Sequence, residues 1–309
     1  MSKTALLFAG QGAQVVGMGR DLAEKFPSAR SWFDRANAAL GYDLTSVCFN
    51  GPDAELTKTE HAQPGIFLAS WVAFQLLKEN APALSFQASA GLSLGEFTAL
   101  TAAGSLSFED GLRVVRQRGK FMQEACDATK GGMAAIIGLD EAPTREVCAQ
   151  AGVVLANLNC PGQLVVSGAE EKIIHACDLA KAKGARRALP LPVAGAYHSP
   201  LMASAQPKLL SELTKVKINA TNVPVISNVN ALPHGIADRI ISQLVEQVTS
   251  SVLWESSMRL LLAQGFTRFI ELGPGAALSG FMKRIDKNVQ MLNVADVASL
   301  EATVNALSI

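Results

Sequence analysis

Three short strand-like runs, each stopping at glycine, constrain the fold of this chain most. Residues 6–9 end at Gly10-Gln11-Gly12, residues 85–90 at Gly91, and residues 266–272 at Gly273-Pro274-Gly275. Residues 223–227 read as a fourth strand. Short strands alternating with helices imply an α/β fold around a largely parallel sheet. Between the second and third runs the pattern changes. Strand-like residues 132–139, helical 142–151, strands 153–158 and 163–167, helical 170–183 and strand-like 187–193 give the order β-α-β-β-α-β, a ferredoxin-like unit. It is expected to be inserted into the larger sheet, with residues 1–127 and 195–309 forming the large domain and 128–194 the insert. A cleft between two such units is a natural ligand site.

The 309 residues are 49% hydrophobic and 17% charged, as in a well-buried globular protein. Lys plus Arg equals Asp plus Glu at 27 each, which argues against a general nucleic-acid binder. The five cysteines form no C-x-x-C pair, so neither a zinc site nor a disulfide framework is expected, and free thiols fit a cytoplasmic setting. Residues 1–14 do not have the pattern of a signal peptide. The strongly apolar stretch 66–77 is too short to span a bilayer and reads as a buried helix.

The chemistry centres on Gly91-Leu92-Ser93-Leu94-Gly95, a G-x-S-x-G pattern between a strand and a helix. That context suits a nucleophile elbow, whose sharp turn exposes the serine hydroxyl and sets it beside the backbone N–H groups of a helix start. Ser93-Leu94-Gly95-Glu96 is equally a capping box, in which the serine only caps the helix. A nucleophilic serine needs a base, and the chain has four histidines. His61 follows a charged stretch, His175 lies in the small unit and His234 in a Pro-Gly turn. His198 falls where the chain leaves the small unit, at the expected cleft. Gly10-Gln11-Gly12-Ala13-Gln14-Val15 lacks the last glycine of a dinucleotide-binding loop.

Six segments, in order from residue 8 to residue 275, resemble the malonyl-CoA:acyl carrier protein transacylase family: Phe8-Ala9-Gly10-Gln11-Gly12-Ala13-Gln14; Gly91-Leu92-Ser93-Leu94-Gly95-Glu96; Arg116-Gln117-Arg118-Gly119-Lys120-Phe121-Met122-Gln123; Asn159-Cys160-Pro161-Gly162-Gln163; Gly195-Ala196-Tyr197-His198-Ser199-Pro200-Leu201-Met202; and Glu271-Leu272-Gly273-Pro274-Gly275. The resemblance implies a hydrolase-like α/β domain with an inserted ferredoxin-like subdomain. It implies Ser93 as nucleophile, His198 as base and then acid, and the backbone amides of Gln11 and Leu94 as oxyanion donors. Arg118 would take the malonyl carboxylate, a match of planar guanidinium to carboxylate. Gln63, Leu92, Met122 and Tyr197 would line the pocket, and the backbone carbonyl of Leu253, before Trp254, would orient His198. Leu92 stands where many members carry His, and Tyr197 where malonyl-specific members often carry Phe; an aromatic there crowds an α-methyl branch. No metal or redox cofactor is expected. The implied partners are malonyl-CoA and acyl carrier protein, with neither nucleic acid nor membrane. Lys181, Lys183, Arg186 and Arg187, with Lys283 and Arg284, are candidates for docking the acidic carrier. The same Ser–His chemistry would serve an acyltransferase of a polyketide synthase or an acyl-thioester hydrolase.

Overall fold

The structure is a computed structural model that describes residues 2–308. Its strands are β1 (Lys3–Phe8), β2 (Ala88–Gly91), β3 (Gly131–Ile137), β4 (Val154–Cys160), β5 (Gln163–Ala169), β6 (Arg187–Pro190), β7 (Val225–Ile226), β8 (Phe266–Leu272) and β9 (Gln290–Val294). They form a five-stranded parallel sheet of order β7-β2-β1-β8-β9 and a four-stranded antiparallel sheet of order β4-β5-β3-β6.

Parallel strands covered on both faces carry near-continuous apolar runs, and β1 is buried from Thr4 to Phe8. Alternate side chains leave opposite faces. Leu6 and Phe8 pack with Ile66, Phe74 and Phe97 on one side, whereas Ala5 and Leu7 pack with Trp254 and Met258 on the other. The apolar stretch 66–77 lies inside the helix Thr59–Asn80, buried along nearly its whole length. No helix among the described residues is long and apolar enough to cross a membrane.

Register sets the site. Phe8 lies level with Gly91 on β2 and with Leu272 on β8, so all three glycine turns emerge at one edge. This is the carboxyl edge, where open parallel sheets bind ligands. The turn after β2 is tight enough to require glycine twice. A Cβ on Gly91 would sit 1.9 Å from the carbonyl carbon of Gly95, and one on Gly95 would sit 2.3 Å from the Phe8 carbonyl oxygen.

The second sheet has the strand order of a ferredoxin-like unit. Ala134, Ile136, Leu164 and Val166 pack against the helices Glu141–Ala151 and Glu170–Ala182, while the alternate residues Met133 and Val165 join the large core. Val252 ties the two sheets together: its N–H donates to Ala156 (2.8 Å) and its carbonyl accepts from Leu158 (3.0 Å).

Strand bounds differ from the sequence reading by up to three residues: β2 begins at Ala88, three residues later than expected, and β6 ends at Pro190, three residues earlier. β9 was not anticipated, because it is an edge strand in which only Val294 is fully buried, so Gln-Met-Leu-Asn-Val carries no clean period.

Gly95→Ala forces a methyl group into backbone. It is expected to destabilise the protein at or above the upper end of the ~1–3 kcal/mol typical of overpacking, measured by chemical denaturation. Unchanged stability would contradict the tight packing of the turn on β1.

Candidate active site

Ser93 sits at the apex of this turn with φ 53°, a left-handed conformation rare outside glycine. Such strain, of order 1–3 kcal/mol, persists only where the surroundings over-determine it. Here they do. The Asn228 side chain accepts from the Ser93 N–H (2.7 Å) and donates to the Gly91 carbonyl (2.8 Å). Gln247 Nε2 donates to the Ser93 carbonyl (3.0 Å), and the Leu92 N–H donates to Phe8 (3.1 Å). The capping reading of Ser93 does not hold. The helix Gly95–Ala102 follows Leu94 as its N-cap, without a side-chain cap. The Ser93 hydroxyl instead faces His198 Nε2 at 2.9 Å and Arg118 Nη2 at 3.0 Å.

His198 also has positive φ, 56°, and is buried. Its Nδ1 lies 2.9 Å from the Gln247 carbonyl oxygen. This corrects the expectation for Leu253. The Leu253 carbonyl accepts from Ser257 in the first turn of the helix Trp254–Ala263 and is not directed at the imidazole. Gln247 ends the helix Ala237–Gln247, and the last carbonyls of a helix lack intrahelical donors. With its Nδ1 proton on that carbonyl, the ring presents an unprotonated Nε2 to Ser93. Burial and then the adjacent Arg118 cation push the imidazole down to about 4, against the pull of the Gln247 and Ser250 backbone. The His198 imidazole is therefore neutral at neutral pH.

Arg118 is 1% exposed, deep in the helix Phe108–Asp127. Its partners are neutral oxygens: Gln63 Oε1 (2.7 Å), Gln247 Oε1 (2.9 Å) and the Ser93 hydroxyl. Its Nε has no partner among the described residues. Burial lowers its pKa to about 10, which leaves it charged at neutral pH. No anionic group touches Arg118 directly; the nearest compensation is the Glu96 carboxylate, which acts on it from beyond Gln247. A buried cation without an anion in contact is costly, so the arrangement invites one.

The other sequence candidates converge here. Gln63 Nε2 donates to Gln11 Oε1 (3.2 Å) and contacts Met122 Sδ (3.5 Å). Gln11 Nε2 reaches the Tyr197 hydroxyl (3.4 Å), which lies 2.7 Å from Thr59 Oγ1. Burial raises Tyr197 to about 12, so it stays a neutral phenol. The backbone N–H groups of Gln11 and Leu94 have no protein acceptor among the described residues. Leu92, Ser93, Met122, Tyr197 and His198 open on a cleft of about 820 Å³ whose other wall includes Met133, Asn157 and Val165 of the small sheet. No group of three or more His, Cys, Asp or Glu among the described residues could hold a metal ion. Sequence reasoning missed Asn228 and Gln247. Neither lies in a motif, and both reach Ser93 across more than a hundred residues of chain.

A strained serine, a neutral histidine oriented by a carbonyl and two free amides define a serine-dependent acyl-transfer site, and the chain belongs to the acyl transferase domain family, whose model matches residues 5–302. It is 44% identical to the malonyl CoA-acyl carrier protein transacylase of Bacillus subtilis, over 99% of this chain and 98% of that one. The malonyl CoA-acyl carrier protein transacylase structure from Coxiella burnetii superposes with a TM-score of 0.96 at 36% identity, covering 100% of this chain and 98% of that chain. A malonyl-transacylase in complex with a type II polyketide synthase acyl-carrier protein superposes with a TM-score of 0.95 at 37% identity, covering 99% of this chain and 100% of that chain.

Because His198 is neutral down to about pH 4, Ser93 should keep its reactivity toward a fluorophosphonate well below the ordinary histidine value of about 6.5. Removing the Arg118 cation, as in Arg118→Ala, favours imidazolium and should move the acid limb upward. A wild-type limb at pH 6.5 would contradict this electrostatics.

Proposed function

We propose that this chain transfers the malonyl group of malonyl-CoA to the phosphopantetheine thiol of an acyl carrier protein, through a malonyl ester on Ser93, and so supplies fatty-acid synthesis. The observation that carries the malonyl assignment is the buried Arg118 guanidinium, hydrogen-bonded to the Ser93 hydroxyl and otherwise held by neutral amides. A carboxylate one carbon beyond the reacting carbonyl can meet that cation while the thioester lies against Ser93. The relatives named as malonyl transacylases support the same reading.

In this mechanism Arg118 fixes the malonyl carboxylate and His198 Nε2 takes the Ser93 proton as the oxygen attacks the thioester carbon. The negative charge that develops on the carbonyl oxygen meets the amides of Gln11 and Leu94. In a characterised serine enzyme, loss of one such donor costs about 2.7–4 kcal/mol. The tetrahedral intermediate collapses, the C–S bond breaks, and the His198 proton passes to the CoA sulfur. The carrier thiol then gives its proton to His198, attacks the ester and releases Ser93 in the reverse order. Tyr197, with its ring fixed by Thr59 and Gln11, limits room at the α-carbon. Residues 128–194 act as the inserted unit that closes the cleft, with residues 1–127 and 195–309 as the catalytic domain. The five cysteines are unpaired and buried, which supports a reducing, cytoplasmic setting.

The carrier is acidic in this reading, and it docks on the basic edge of the small unit. Two of the four cations there are already engaged: Lys183 pairs with Glu146 at 2.6 Å and Lys181 with Asp178 at 3.8 Å. Arg186 and Arg187 are exposed and are the better candidates.

Wild type mixed briefly with malonyl-CoA should gain one malonyl group by intact mass and lose it on addition of pantetheinylated carrier, whereas Ser93→Ala should gain none. Arg118→Ala should slow malonyl loading by roughly 10²-fold, with a smaller loss for an acyl-CoA that lacks the second carboxylate. Equal losses for both would remove the carboxylate role. Reversing the charge of Arg186 and Arg187 should raise the KM for carrier and leave malonyl loading intact; an unchanged KM places docking elsewhere.

A further inference from the structure

His234 reads in the sequence as a turn residue, yet its side chain and that of Glu96 are both 0% exposed. Its Nε2 lies 2.6 Å from Glu96 Oε1. The ring is placed by the backbone: the His234 N–H donates to Val225 of β7 at 2.8 Å, next to the Ile226–Pro233 bridge. Its Nδ1 has no partner among the described residues, so its one polar contact is with the carboxylate.

The second oxygen of that carboxylate holds the machinery. Glu96 Oε2 accepts from Gln247 Nε2 (2.6 Å) and from the Asn228 N–H (3.1 Å). Asn228 brackets the Ser93 turn on both sides. Gln247 holds the Ser93 carbonyl, the Arg118 guanidinium and, through its backbone carbonyl, His198. Glu96 thus touches no reacting atom but fixes the two residues that fix all three functional side chains. A carboxylate with one oxygen unanchored can turn about its last torsion, since such sp³–sp² torsions are soft. His234 removes that freedom. It also supplies an N–H to a buried carboxylate that otherwise receives only amide donors, and a buried acceptor left short of donors is costly.

We propose that His234 and Glu96 form a positioning pair: His234 locks the Glu96 carboxylate so that Gln247 and Asn228 hold Ser93, His198 and Arg118 in register. The inference rests on Ser93 being the nucleophile. In Glu96→Gln, which conserves volume, one carboxylate oxygen becomes an NH₂ donor. If that NH₂ faces Gln247 Nε2, two donors meet and the Gln247 amide must turn, losing its bond to Ser93 or to Arg118. If it faces His234 instead, the imidazole loses its acceptor.

The test is the rate at which a fluorophosphonate labels Ser93, followed by intact mass in the full-length protein, with melting temperature measured alongside. The probe needs an activated serine but no malonyl group and no carrier. His234→Leu and Glu96→Gln are each expected to lower the first-order labelling constant about 10–100-fold, as misplacement of a catalytic group does, with the probe's half-saturation concentration little changed. His234→Gln, which can still donate to Glu96, should recover most of the rate. If His234→Leu or Glu96→Gln labels as fast as wild type, whatever its melting temperature, the pair is only packing and the proposal fails; the isosteric Glu96→Gln decides if His234→Leu does not fold. Wild type that labels rapidly but takes no malonyl from malonyl-CoA would sink the malonyl reading and leave this one standing.

Discussion

The left-handed turn at Ser93 is the constraint on which the rest of the structure depends. A serine there is strained, and a strained residue stays put only if the bonds around it outweigh the gain from relaxing. Two glycines let the strand, turn and helix approach closely, and the amide of Asn228 grips the turn on both sides. Gln247 completes the grip from the end of a helix on a distant part of the chain. The parallel sheet supplies the rigid edge: Phe8, Gly91 and Leu272 are held level by backbone pairing, so the three loops that build the site cannot drift relative to one another.

Charge organises what the turn exposes. Arg118 is a buried cation whose hydrogen-bond partners are hydroxyl and amide oxygens, with the Glu96 carboxylate acting on it only from beyond Gln247. Together with burial, which is the larger cause, the same cation depresses the His198 pKa and leaves its Nε2 unprotonated. A ligand carboxylate on Arg118 would offset that effect at the moment His198 becomes cationic. In the proposed mechanism, substrate binding and base chemistry would be coupled through one guanidinium, and an acyl group without the second carboxylate would forfeit both benefits.

The small sheet contributes position more than chemistry. One face is sealed by its own two helices, and the other sends Met133 and Val165 into the main core and the cleft wall. Val252, pinned between Ala156 and Leu158, links it to the segment that precedes Trp254. Leu253, the residue that the resemblance implied for orienting the histidine, does lie near the site, and its N–H donates to the Asn228 carbonyl at 2.9 Å. Its carbonyl, however, is consumed by the first turn of the next helix, whereas the carbonyl of Gln247, at the end of a helix, remains available.

The sequence by itself determined the layered α/β fold and the inserted β-α-β-β-α-β unit, and it marked Ser93 and His198 as candidates, whereas Arg118 came forward only through the resemblance of its segment to a known family. Each leaves a local signature: an apolar run ending in glycine, a strand–turn–helix pattern, or a short motif whose neighbours are close in the chain. The edge strand β9 escaped because a half-exposed strand carries little hydrophobic period. Tertiary structure alone decided which carbonyl faces His198, that Asn228 and Gln247 clamp the turn, and that His234 meets Glu96 in the interior. The reason is physical. A hydrogen bond between groups far apart in the chain, from 49 residues for His198 and Gln247 to 154 for Ser93 and Gln247, depends on the register of strands and the ends of helices, and no local pattern of residue types records where those ends will meet.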